Sequence, residues 1–96
     1  MEYAYHRTME VEFDPDKARA NLKKYKVSFA HAEQVLRDPM ALTIEDPGSE
    51  GDVRFVTLGV DGLARVLVDV HTPRGDRVRI ISARKASAGE AEQYHA

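Results

Sequence analysis

The chain reads as short alternating stretches separated by two helical ones. Val11 and Phe13 alternate with Glu10 and Glu12 after Met9, which predicts a short N-terminal strand. Asp14-Pro15 opens a helix: Asp14 can cap the free amides, and proline at the first helical position sacrifices no hydrogen bond. Ala18, Leu22 and Tyr25 recur at helical spacing and predict its buried stripe, with Lys17, Arg19, Lys23, Lys24 and Lys26 over the remainder. Ser28 caps a second helix whose stripe is Phe29, Ala32, Val35 and Leu36, and Asp38-Pro39 ends it. Two helices joined so tightly must form a hairpin.

Residues 41–45 follow as a candidate strand and 46–52 as a loop rich in Asp, Gly and Pro. Three further strands are expected at Arg54–Val60, Arg65–His71 and Arg77–Ala83, joined by Asp61-Gly62 and by residues 72–76 into an antiparallel meander. Strict alternation sets Val66, Val68 and Val70 against Arg65, Leu67, Asp69 and His71, and Val78 and Ile80 against Arg77, Arg79 and Ile81. A last helix is expected over roughly Ala86–Tyr94. The order β-α-α-β-β-β-β-α makes an α+β fold, with the helical hairpin on one face of the sheet.

At 96 residues, 43% hydrophobic and 31% charged, the chain is one small domain rather than a disordered segment. Its longest apolar run is three residues, which excludes a transmembrane helix, and its N-terminus lacks the apolar stretch of a secretory signal, so the expected compartment is the cytoplasm. The absence of cysteine removes disulfides, zinc fingers and thiol catalysis, and the scattered histidines make no metal-ligand pattern, so neither metal nor cofactor is expected. Net charge is −2. Its distribution is more informative: residues 17–37 and 63–86 are basic blocks set between acidic ones. Those blocks are either two solvated faces or, if the fold joins them, the walls of a positive cleft.

The densest candidate chemistry is the segment Arg77-Val78-Arg79-Ile80-Ile81-Ser82-Ala83-Arg84-Lys85. Guanidinium groups match phosphate and keep their charge near neutrality. These arginines either clamp a phosphate or pair with acids on adjacent strands, such as Asp69. His71 titrates in the range useful for acid–base work, yet a histidine beside a turn is as readily structural. Tyr94 carries a hydroxyl at helical spacing that also suits a packing anchor.

Phe13-Asp14-Pro15-Asp16-Lys17-Ala18, Asn21, Lys24, Val27-Ser28-Phe29, Ala32 and Asp38-Pro39 together resemble the first half of the BrnT toxins, and Val70-His71-Thr72 with Arg79-Ile80-Ile81-Ser82-Ala83-Arg84 resembles the second. The resemblance runs from Met9 to about Tyr94, so residues 1–8 are expected to be a disordered extension and 9–96 the toxin domain. It implies a RelE-like fold and a type II toxin: a metal-independent ribonuclease that cleaves RNA, arrests translation and is neutralised by a BrnA-like antitoxin. That partner would bring a ribbon-helix-helix-type DNA-binding domain, giving a two-plus-two complex that touches operator DNA only through the antitoxin. One departure stands out. The family commonly has Lys-His-Gly after the first helix, where this chain has Lys24-Tyr25-Lys26, so the inter-helix turn is expected to differ for want of glycine.

On this reading Arg79 and Arg84 converge on the scissile phosphate, His71 and Lys24 are the acid–base candidates, and Arg54, Lys17, Arg77, Lys85 and Tyr94 contact RNA. The rival reading is a non-catalytic RNA- or protein-binding module, a degenerate toxin with the same basic groove.

Overall fold

The computed structural model describes residues 9–96; the expected extension at 1–8 lies outside the described residues. In chain order the elements are β1 (Glu10–Glu12), α1 (Pro15–Tyr25), α2 (Phe29–Leu36), β2 (Leu42–Glu45), β3 (Phe55–Val60), β4 (Val66–Arg74), β5 (Arg77–Lys85) and α3 (Ala88–His95). Both N-terminal helices start where their caps predict. The Asp14 side chain accepts from the Asp16 amide at 2.8 Å, and Ser28 Oγ accepts from the His31 amide at 3.2 Å.

The five strands form one mixed sheet in the order β1-β5-β4-β3-β2. The β2–β5 pairings are antiparallel, as expected of a meander, whereas β1 runs parallel to β5. One face packs against α1 and α2. Val27, Phe29, Ala32, Val35 and Leu36 are buried there with Met9, Leu67, Val78, Ile80 and Ala83. The approach of α2 is close at Gly59, where an added Cβ would sit 2.9 Å from Val35 Cγ1 and 3.0 Å from its carbonyl oxygen. The α2 stripe is therefore the one the sequence predicts.

The α1 stripe is only in part: Ala18 packs against the core and Tyr25 is half-buried, but Leu22 is not. Leu22 is 49% exposed, and Asn21 is the buried residue of that helix. Its side-chain amide donates to Val27 O (2.9 Å) and Ala83 O (2.8 Å) and accepts from the Ala83 amide (3.0 Å). Beyond Arg79, β5 has no strand partner on this side among the described residues, and Asn21 supplies there the donor and acceptor a neighbouring strand would give. This turns Lys17, Ala20, Asn21 and Lys24 toward the sheet edge and leaves Leu22 outside, while Ala18 packs against the core as expected.

The connections also differ from expectation. The two-residue link at Asp61-Gly62 is instead a five-residue turn, residues 61–65, with Ala64 at φ 63°. Asp61 organises it: its carboxylate accepts from the Leu63 and Arg65 amides and from Arg65 Nε, and meets His31 Nδ1 at 2.9 Å. Conversely, the five-residue connector at 72–76 shrinks to Gly75-Asp76 because both strands run further than predicted; Gly75, at φ 63°, takes the first central position of the turn. Finally, Val70 pairs with Ser82 but His71 with Ile80, so Ile81 is an extra, bulged residue. Cross-strand partners share a face. Arg79, Ser82 and Arg84 therefore all lie on the face away from α1 and α2, opposite Thr72, Val70 and Val68.

Candidate RNA-binding surface

The sheet face away from α1 and α2 carries Leu42, Ile44, Val56, Leu58, Val68 and Val70, with a charged flank on β1 and β5. Leu42 and Ile44 are 47% and 64% exposed. On the flank, Arg77 meets Glu10 at 3.1 Å and Arg79 donates from Nε to Glu12 at 2.9 Å. That hydrogen bond holds the Glu12 carboxyl below the usual range, against a weaker opposing push from burial. Among the described residues the two terminal nitrogens of Arg79 have no hydrogen-bond partner.

At the other end of β5, Arg84 gives a forked pair of bonds to both Glu90 oxygens, 2.8 and 2.9 Å. Glu90 also accepts from the Ser87 amide, closing a capping box at the start of α3. Arg84 and then the Ser87 amide hold the Glu90 carboxyl down at about 2, and the same pair raises the Arg84 pKa.

The expected convergence of Arg79 and Arg84 is therefore absent. They lie opposite Thr72 and Val68, four residues apart on β4, or about 13 Å of strand, and each has its own carboxylate. The pairing of arginines with acids on neighbouring elements is present, but through Glu12 and Glu90 rather than Asp69. Asp69 and His71 face the other way, toward the helices.

His71 is fully buried. Its Nε2 lies 2.7 Å from Thr57 Oγ1, which in turn meets Thr43 Oγ1 at 2.7 Å, and its ring stacks on Phe55. Burial pushes its pKa down to about 4, so the ring is neutral at pH 7. The acid–base role expected of His71 is corrected here to a structural one, because its strand position points it into the core. Asp69 is also fully buried, both carboxylate oxygens lack a hydrogen-bond partner, and burial pushes its pKa well above the usual range.

The remaining candidates divide. Arg54 and Arg77 are exposed toward the Gly75 end of the sheet, whereas Lys85 is opposite Leu67 near the far end. Tyr94 donates its hydroxyl to Asp38 Oδ2 at 2.6 Å, and that bond raises its pKa to about 12. Its hydroxyl is thus engaged within the fold, tying α3 to the segment after α2. Lys17 and Lys24 do come together with β5: with Ala20, Asn21, Tyr25, Ile81 and Ser82 they line an open depression of about 280 Å³. Neither lysine makes an ion pair among the described residues, in contrast to Arg65, Arg77, Arg79 and Arg84. The two basic blocks thus meet at this depression. Sequence reasoning missed Tyr25 and Ser82 as lining residues. The i, i+3, i+4, i+7 spacing of Lys17, Ala20, Asn21 and Lys24 was the available signal.

Among the described residues no group of three or more His, Asp or Glu side chains could hold a metal ion, and no helix is long and apolar enough to cross a membrane.

A family model described as the ribonuclease toxin, BrnT, of type II toxin–antitoxin systems matches residues 13–90. The fold is similar to the 1.1 Å crystal structure of the Brucella abortus ribonuclease toxin BrnT, at 26% identity and a TM-score of 0.64, covering 82% of this chain and 97% of that one. No match is found among curated proteins. An α+β domain with a cationic helix stripe beside an open sheet face, matched in this way, falls among the ribonuclease toxins of type II toxin–antitoxin systems. Within that class the chain belongs to the BrnT family.

Proposed function

We propose that this chain cleaves RNA without a metal ion and thereby arrests translation in the cytoplasm. In such cleavage the neighbouring 2′-hydroxyl gives its proton to a base and attacks phosphorus, cations stabilise the charge that builds there, and a donor protonates the 5′-oxygen as its bond to phosphorus breaks. The observation that carries the reading is the pair of lysines, Lys17 and Lys24, which line a depression with Ser82 beside the β5 bulge and have no carboxylate partner among the described residues. The cations form a track rather than a clamp: Arg79 at one end, Lys24 in the middle beside the neutral Ser82, Arg84 at the other. The scissile phosphate belongs beside Lys24, whose ammonium is the proton donor; Arg79 holds an adjacent phosphate through its two terminal nitrogens.

The antitoxin is proposed to be BrnA-like, with a ribbon-helix-helix-type domain that dimerises and binds operator DNA, in a two-plus-two complex. A non-catalytic RNA- or protein-binding role is the second reading, favoured by the carboxylates already seated on Arg79 and Arg84.

The test is cleavage of RNA by the chain freed of its partner, in EDTA. Turnover is expected, with Lys24→Ala and Arg79→Ala each slower by about a hundredfold while still folded. Loss of cleavage in EDTA would remove the metal-independent reading. Binding without any turnover would establish the second one.

A further inference from the structure

We infer that the depression between α1 and the β5 bulge is a nucleotide subsite in which the Tyr25 ring stacks on a base of the bound RNA strand. The inference rests on the ribonuclease reading and adds to it the residue that grips the base.

Four observations converge. Tyr25 is half-buried at the end of α1 and lines the depression with Lys17, Lys24 and Ser82. Lys24 Nζ lies 5.1 Å from the centroid of the Tyr25 ring, so one face of the ring already takes a cation from the solvent side. Among the described residues the hydroxyl of Ser82, which also lines the depression, makes no hydrogen bond, which leaves a donor and an acceptor open. Arg84 is within electrostatic reach of Tyr25.

The chemistry of this set is that of single-stranded nucleic acid. A planar base has a π-face that an aromatic side chain meets without regard to sequence, while cations follow the backbone. Lys17 and Lys24 are seven residues apart, or about 10 Å along the helix axis, which suits two positions on a sugar–phosphate chain better than one shared phosphate. A base entering the depression takes the ring face from Lys24, and the released ammonium turns to the phosphate of the same nucleotide. An acidic peptide would use the two lysines equally well but has no need of the ring, and this separates the two ligand classes.

The probe is a fluorescent RNA of about ten nucleotides, 2′-O-methylated throughout so that it lacks the attacking hydroxyl, and binding is read by anisotropy. Tyr25→Leu is expected to weaken binding about tenfold, and Tyr25→Phe to bind as the parent chain does. Lys24→Ala should lower the slope of log affinity against log salt by about one. Thermal melts confirm that each variant is folded. If Tyr25→Leu does not fold, Tyr25→His, which keeps a planar ring, must retain binding for the inference to stand. Tyr25→Leu binding like the parent while Lys24→Ala weakens would overturn stacking and leave a purely electrostatic patch. If the parent chain also cleaves unmodified RNA in that case, the ribonuclease reading survives without the subsite. A parent chain that neither binds nor cleaves RNA removes both.

Discussion

Asn21 and Ala83, 62 residues apart in the chain, are joined by two hydrogen bonds between one side-chain amide and the backbone N–H and C=O of one residue. The pair fixes α1 against the open edge of β5 and so decides which lysines face the sheet. Asn21→Ala leaves the Ala83 N–H and C=O and the Val27 carbonyl without partners in a buried setting. It should destabilise the chain by about 3 kcal/mol, measurable by urea unfolding. Asn21→Asp keeps the acceptor for Ala83 N–H but turns an oxygen toward two carbonyls, and its loss should be at least as large.

The inter-helix turn gives a prediction of opposite sign. Lys26 closes α1 in the left-handed conformation, φ 62° and ψ 29°, with its amide bonded to Leu22 O. The expectation that the turn would differ for want of glycine is corrected: the left-handed stop is kept, and a side chain is forced into it. Lys26→Gly should therefore raise stability by about 0.5–1 kcal/mol, seen as a higher urea midpoint with an unchanged slope.

Arg84 and Glu90 tie the end of β5 to the start of α3. The Glu90 carboxyl falls from 4.5 to about 2 on folding. A depressed folded value means that the stabilisation is complete above about pH 4.5 and drains away as pH falls toward 2. Both side chains are partly exposed, at 44% and 30%, so Glu90→Gln should cost only about 1 kcal/mol at neutral pH. The variant should also lose less stability than the parent between pH 5 and 2, roughly the window this linkage spans.

Asp69 works in the opposite direction. Below its ordinary value of 3.8 both folded and unfolded chains hold the proton. Above it the unfolded chain releases the proton first, so stability declines as pH rises. Asp69→Asn removes that linkage and should stabilise the chain at pH 7 by about 1–3 kcal/mol. A variant no more stable than the parent at pH 7, with the same slope against pH, would show that Asp69 finds a partner in solution.

Much of this architecture was legible from the chain. The Asp14 and Ser28 caps, the Phe29–Leu36 stripe and the strand sequences each carry a local signal, and each element formed where that signal lay. The errors share another origin. Leu22 looked like core because helical spacing records which residues share a side of α1, not which side meets the sheet; the Asn21–Ala83 bonds set that, and they join distant segments. His71 looked available because its residue type suits catalysis, while its cross-strand partner, Ile80, is what consigns it to the interior. The arginine pairs with Glu12 and Glu90 likewise depend on neighbours that only the folded sheet supplies.

The single surplus residue at Ile81 has an outsized effect on what this toxin shows to the outside. It resets the odd–even count of β5, so that Arg79 and Arg84, of opposite parity, come to look the same way. With the same side chains but no bulge, Ile81 would take its turn in the alternation and Arg84 would face inward. In this strand, parity rather than composition selects the charges offered to a ligand.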